Sequence, residues 1–185
     1  MTTGERIITA ILTGGVLYMI IRPKAAIPQT SPPERTADRV MEYAGWLFKY
    51  GGEQGVDPAL AAAIMTVESG GDPNAYGSAG EIGLMQILPS TAKWINNVEP
   101  AQLYDPATNI QTGTAYLRYC IDRKAGNVSA GICGYNYGPD RVKVVAGQIV
   151  APEIVKAYAR NVLSFVQLYK SRMVERFGHF YTNIF

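Results

Sequence analysis

Twice the chain places Asp directly before Pro at the head of an apolar-periodic run, at Asp57-Pro58 and Asp105-Pro106. This pairing commits it to helices. The Asp side chain can accept from the open N–H groups of a first helical turn, and Pro suits the first helical position, where its missing N–H is no loss. A helix is therefore predicted over 57–69 (DPALAAAIMTVES), stopped at Gly70-Gly71, and another over 106–124 with Ile110, Leu117 and Ile121 on one face. Similar spacing predicts helices over 34–50 (Val40, Ala44, Leu47 and Phe48 on one face) and from Pro89. Two more are predicted over 127–135, broken by Tyr137-Gly138-Pro139, and from Pro152 to Phe177 through Tyr158, Val162, Phe165, Val166 and Leu168. From Gly70 to Gln86 the glycines at 70, 71, 77, 80 and 83 come without a helical period, which predicts loops with at most a short β-hairpin. The expected architecture is mainly α with one small glycine-rich lobe.

With 185 residues, 48% of them hydrophobic, the chain suffices for one domain with a core plus an appendage. The appendage is the N-terminus. Ile7 to Ile21 is uncharged and mostly apolar between Arg6 and Arg22; as a helix it would reach about 22 Å, against the ~30 Å of a bilayer core. Lys24 spoils a small-x-small cleavage pattern before Ala26, so a retained apolar helix is favoured over a cleaved leader, with a helix packed on a partner protein as the alternative. Prolines at 23, 28, 32 and 33 then predict a semi-rigid linker. The expected organisation is an apolar N-terminal helix over 1–22, a linker over 23–36 and the main domain over 37–185.

A net charge of +2 with no basic run longer than two residues leaves no nucleic-acid footprint. Two cysteines, Cys120 and Cys133, match no zinc spacing and are read as buried thiols, with a single disulfide as the alternative. One His in the chain argues against a metal site.

Ala61, Met65 and Glu68 fall at i, i+4 and i+7, putting a carboxylate in an apolar stripe at the end of a helix. Partly dry surroundings are what a general acid needs. Position alone fits a solvent-facing carboxylate better, but the context reverses this. Gln86 follows eighteen residues later in Gly83-Leu84-Met85-Gln86, and further on comes Gly134-Tyr135-Asn136-Tyr137-Gly138-Pro139. With Glu68-Ser69, the GLMQ run and Ile87-Leu88-Pro89, DPATNIQTGTAYLRY (105–119), YNYGPDRV (135–142) and, more weakly, KAYARNVL (156–163), the chain resembles the Slt-type lytic transglycosylases of the lysozyme-like superfamily. The resemblance covers about residues 40–170 and implies a mainly α, α+β lysozyme-like fold, a helical bundle around a substrate cleft with a small glycine-rich loop or β-hairpin lobe.

Carried over by position, the resemblance implies that Glu68 is the catalytic acid and base, that Met85 and Gln86 line the cleft, and that Tyr135 and Asn136 face the reacting sugar. Ser69 is expected to support the site. For Met85 plain core packing is the competing reading, and for Tyr135 a hydroxyl bonding a loop; Asn109 and Gly113 are assigned to the fold. Two-carboxylate glycosidases protonate the leaving oxygen with one group and use the other as nucleophile or base. The resemblance implies a shorter route: Glu68 protonates the oxygen between N-acetylmuramic acid and N-acetylglucosamine, then takes the proton of the muramoyl C6 hydroxyl as it closes on C1. The product is a 1,6-anhydro end, with no cofactor and no metal. Departures are visible at Gly77, where many relatives carry Ser and Ser78 stands adjacent as a substitute contact, and at Ile154, where an acidic residue is frequent. Glu81 also departs from the pattern; it is read as an inert exposed loop residue or, alternatively, as the second acid of a hydrolytic, goose-type-like lysozyme. An inactive wall-binding protein is the non-enzymatic alternative.

The implied partner is the peptidoglycan glycan strand, outside the cytoplasmic membrane. Glu5 and Arg6 precede the apolar stretch, while Arg22, Lys24, Arg35 and Arg39 follow it, a charge order that would hold the domain in the cytoplasm. Two settings answer this: a phage virion protein delivered to the host periplasm during genome entry, or a periplasmic, inner-membrane-anchored enzyme of a conjugation or secretion apparatus. In both, residues 7–21 would meet a membrane or a partner of the complex.

Overall fold

The computed structural model describes residues 34–184 and, ahead of them, Leu12, Thr13, Val16 and Leu17. Those four form two short strands, β1 (Leu12–Thr13) and β2 (Val16–Leu17), paired antiparallel. The helix expected over 7–21 is therefore not supported at the four positions described, and the rest of that stretch and the linker up to residue 33 lie outside the described residues. Among the described residues no helix is long and apolar enough to cross a membrane.

The domain itself is mainly helical: α1 (Glu34–Glu42), α2 (Ala44–Gln54), α3 (Pro58–Glu68), α4 (Pro89–Asn96), α5 (Pro106–Asp122), α6 (Val128–Tyr137), α7 (Glu153–Phe177) and α8 (His179–Thr182). At its centre lies α3. Every residue from Pro58 to Met65 is buried, the signature of a helix walled in on all sides, and its run of alanines lets α7, α2 and α1 approach closely. Asp57 caps it, accepting from the Ala59 N–H at 2.9 Å with Pro58 at the first helical position. The same carboxylate accepts from the Tyr181 hydroxyl at 2.7 Å and pairs with Lys170 at 3.3 Å, so the cap also fastens the C-terminal helices to α3. At the second Asp-Pro, Asp105 accepts from both the Thr108 N–H (2.9 Å) and its hydroxyl (2.7 Å) to start α5.

Three features differ from the sequence reading. The helix expected over 34–50 is broken at Tyr43, which lets Ala37, Val40 and Met41 on one segment and Ala44, Leu47 and Gly51 on the next each face the core. Its second half then runs through Gly51-Gly52 and ends at Gly55, which takes the left-handed C-cap (φ 61°); Gly51 is small because a Cβ there would meet the Val56 carbonyl oxygen at 2.6 Å. A hairpin absent from the sequence reading joins β3 (Lys143–Val145) to β4 (Gln148–Val150) through Ala146-Gly147, both at positive φ (49° and 77°), as a tight two-residue hairpin turn requires. The glycine-rich lobe, by contrast, is loop as its sequence predicts, with isolated bridges of Tyr76 to Ile82 and Ile82 to Ile87.

The lobe is fixed to the helices from below. Asn109 of α5, fully buried, accepts from the Met85 N–H at 2.8 Å and donates to the carbonyls of Ile82 (2.9 Å) and Leu103 (2.8 Å). Met85, also fully buried, lies against Gly113, where any Cβ would collide with its side chain. Cys120 and Cys133 are buried free thiols, and burial pushes the Cys120 thiol up to about 12.

Candidate active site

Only in its last turn does α3 leave the core: Thr66, Val67 and Glu68 are half-buried after eight buried positions. Gly70 and Gly71, at φ 63° and 80°, then turn the chain away, and the helix ends by presenting one carboxylate at the edge of the hydrophobic core. Ser69 locks this end in place. Its hydroxyl donates to the Leu84 carbonyl at 2.7 Å and accepts from the Gly71 N–H at 3.1 Å, tying α3 to the glycine-rich lobe.

From α7 the Tyr158 hydroxyl donates to Glu68 Oε1 at 2.6 Å. Burial, and after it the Glu68 charge, push the Tyr158 phenol well above its ordinary value, so it keeps its proton and remains a donor. In the sequence, Tyr158 reads as one more member of an apolar helical stripe. Periodicity reports the face of a side chain, not the partner of its hydroxyl.

Beside Glu68 opens a cavity of about 190 Å³. Its walls combine Gln86, Ile87 and Leu88 of the lobe, Thr91 of α4, Tyr116 of α5, and Tyr135 and Asn136 of α6. Four of the residues singled out from the sequence thus meet in one place: Glu68, Gln86, Tyr135 and Asn136. Gln86 adopts a left-handed backbone (φ 50°), uncommon for a side-chain-bearing residue, and its Nε2 donates to the carbonyls of Ala75 (3.0 Å) and Gly83 (3.1 Å), bracing the lobe. The Tyr135 hydroxyl donates to the Met85 carbonyl at 2.8 Å, so it is the ring rather than the hydroxyl's donor function that is available to the cavity. Burial keeps this phenol protonated as well. The Asn136 Oδ1 is buried without a hydrogen-bond partner.

The other candidates lie elsewhere. Met85 is fully buried beneath the lobe and does not line the cavity, because the small Gly113 draws its side chain down into α5. Ser69 spends its hydroxyl on backbone groups, and Ser78, exposed, is outside the cavity wall. Among the described residues no three His, Cys, Asp or Glu side chains converge as a metal-ligand set.

A family model described as the transglycosylase SLT domain matches residues 46–154, more than half of the chain. The chain belongs to that family. The match takes in Glu68, the glycine-rich lobe and the Tyr135-Asn136 segment, and ends four residues before Tyr158. This SLT domain is 33% identical over 150 residues to the soluble lytic murein transglycosylase of Escherichia coli K12, covering 70% of this chain and 23% of that protein. It is 38% identical over 93 residues to an endo-type membrane-bound lytic murein transglycosylase A of Klebsiella pneumoniae, covering 46% of each. In three dimensions it resembles the lytic transglycosylase Slt of Pseudomonas aeruginosa, solved as an inactive mutant (TM-score 0.65, 27% identity, 72% of this chain and 24% of that one). It also resembles the 70 kDa soluble lytic transglycosylase of E. coli (TM-score 0.63, 28% identity, 75% and 26%) and a 70 kDa soluble lytic transglycosylase in complex with bulgecin A (TM-score 0.64, 27% identity, 76% and 26%). The chain spans about a quarter of the length of these soluble relatives.

Against the family pattern, Gly77 and Glu81 of this SLT domain form a matched pair. Glu81 is half-buried and lines the same cavity as Glu68, which corrects its reading as an exposed loop residue. The Ala79 N–H donates to its Oε2 at 2.9 Å, and a Cβ at position 77 would run into that same oxygen and into Gln86 Oε1. A Ser at 77 and the present Glu81 conformer therefore exclude each other. At the other departure, Ile154 is exposed and its neighbour Glu153 is engaged at the surface with Lys156 and Arg160, both at 2.7 Å.

Proposed function

We propose that this SLT domain is a peptidoglycan lytic transglycosylase that cleaves the β-1,4 bond between N-acetylmuramic acid and N-acetylglucosamine and leaves a 1,6-anhydro end. The observation that carries the reading is Glu68, held at Oε1 by Tyr158, at a cavity walled by Gln86, Tyr135 and Asn136. Protonated Glu68 gives its proton to the glycosidic oxygen as the C1–O bond breaks, and the resulting carboxylate receives the C6 hydroxyl proton as that oxygen bonds to C1. The proton count closes and Glu68 returns to its starting state without water or cofactor. Asn136, at the cavity wall, orients the acetamido group so that its carbonyl turns towards the positive charge developing at C1. Holding an internal nucleophile and its stabilising group in register is worth several kcal/mol of barrier.

Glu81 supports a second reading, hydrolysis, because it brings a second carboxylate to the cavity wall and could activate a water molecule as two-carboxylate glycosidases do. Mass spectrometry of muropeptides released from purified sacculi separates the two. Anhydro ends throughout are expected, unchanged in Glu81→Gln; reducing ends that disappear in Glu81→Gln would establish hydrolysis instead.

For the biological setting we propose delivery to the host periplasm by a virion, on the strength of the charge order around residues 7–21. A fusion of residues 1–36 to a reporter active only in the periplasm is expected to stay silent; efficient export would favour an anchored enzyme of a conjugation or secretion apparatus.

A further inference from the structure

The cavity does not end at its wall of tyrosines. Tyr135 and Tyr116, which line it, have ring centroids 5.2 Å apart; Tyr116 stacks on Tyr119 at 6.4 Å, and Tyr119 meets Trp94 edge to face at 4.7 Å. Four rings thus form an unbroken line from the buried Tyr135 to Trp94, which is 59% exposed. Two helices set its direction. On α4 the cavity residue Thr91 is followed one turn later by Trp94, and on α5 the cavity residue Tyr116 is followed one turn later by Tyr119. Residues three apart lie on one helical face, so both helices carry the cavity wall outwards by one turn, and the outer residues touch.

A single exposed Trp needs no explanation. Here the Trp is the outer end of a ring series whose inner end is at Glu68, and a substrate that enters such a site as a polymer must leave it along some surface. Pyranose rings expose C–H faces that pack on aromatic faces, and a rigid aromatic supplies that area at low entropic cost. We propose that Trp94 and Tyr119 form an outer glycan-binding subsite that holds a sugar of the strand beyond those bound at Glu68. This rests on the peptidoglycan-cleaving reading of the cavity. The subsite contributes to binding of long strands and makes no contact with the bond that breaks.

The test compares full-chain wild type, Trp94→Ala and Trp94→Phe on purified long glycan strands and on a tetrasaccharide of the same repeat. Trp94→Ala is expected to raise KM on long strands about fivefold with little change in kcat, to lose less than about twofold on the tetrasaccharide, and to be largely rescued by Phe. Equal losses on both substrates would place Trp94 in the fold or the catalytic centre and overturn the subsite, as would no loss on either. A wild type inactive on both substrates would overturn the peptidoglycan reading and the subsite with it, whereas an active wild type beside an unaffected Trp94→Ala would overturn the subsite alone.

Discussion

Glu68→Gln removes cleavage of purified sacculi almost completely, a fall in kcat of about 10³- to 10⁴-fold, while thermal unfolding stays within a few degrees of wild type. The amide has the shape of the carboxyl group and its oxygen still accepts from the Tyr158 hydroxyl, which donates to Oε1 in the native site at 2.6 Å. What it lacks is a proton that can be given and taken back. The proposed reaction asks this one group to do both, so residual activity within tenfold of wild type would refute the mechanism. Tyr158→Phe provides the graded companion. The ring continues to fill its place among α3 and α7, but the carboxyl group loses the bond that sets its orientation, and kcat is expected to drop about 10- to 100-fold.

Asn109→Ala is expected to cost about 3–5 kcal/mol of stability, seen as a fall in Tm of about 10–15 °C for a chain of this size. Its side chain makes three hydrogen bonds in the interior, to the Met85 N–H and to the carbonyls of Ile82 and Leu103. Truncation strands the Met85 N–H and the Leu103 carbonyl away from water, while the Ile82 carbonyl keeps the Ile87 N–H at 3.1 Å, and an unsatisfied buried group costs more than the bond it made. Asn109→Asp discriminates the cause. It keeps the volume and the acceptor for the Met85 N–H, but turns two donors into acceptors aimed at two carbonyls. Comparable destabilisation by Asp and Ala means that hydrogen bonding is responsible; a mild effect of Asp would mean that Asn109 merely fills space. Activity falls along with stability, since the loop that Asn109 holds carries Gln86 and the Met85 carbonyl that receives Tyr135.

Much of the architecture was legible in the chain because its helix starts are announced by local chemistry. Asp57, Asp105 and Asn127 each cap the helix that follows, within three residues of their own position. Terminators were harder. Gly51-Gly52 resembles a stop and is none, since Gly51 is there for the close approach of Val56, while the interruption at Tyr43 has no local signal at all. The hairpin over 143–150 turns on Ala146-Gly147, without the Asn or Asp that usually marks such a turn.

In the site, Glu68, Gln86, Tyr135 and Asn136 were legible through their ordered segments, and the cavity contains all four. Met85 and Ser69 belong to the same segments but work inward, against Gly113 and against backbone carbonyls. A motif preserves residues for packing and for chemistry alike, and spacing does not tell one from the other. Tyr158 escaped for the opposite reason, being ordinary by position and significant only through Glu68, 90 residues earlier, whereas Glu81 was singled out but its place at the cavity wall depends on the missing side chain of Gly77.

The sequence by itself determined where most helices begin, which faces they bury and that a carboxylate would end the most apolar of them, because caps, periodicity and glycine stops act within a turn or two of chain. Only the tertiary structure decided what that carboxylate touches, which motif residues face the cavity and where the aromatic track leads, because hydrogen bonds from Tyr158 to Glu68 and from Asn109 to the lobe join groups whose separation along the chain carries no local signature.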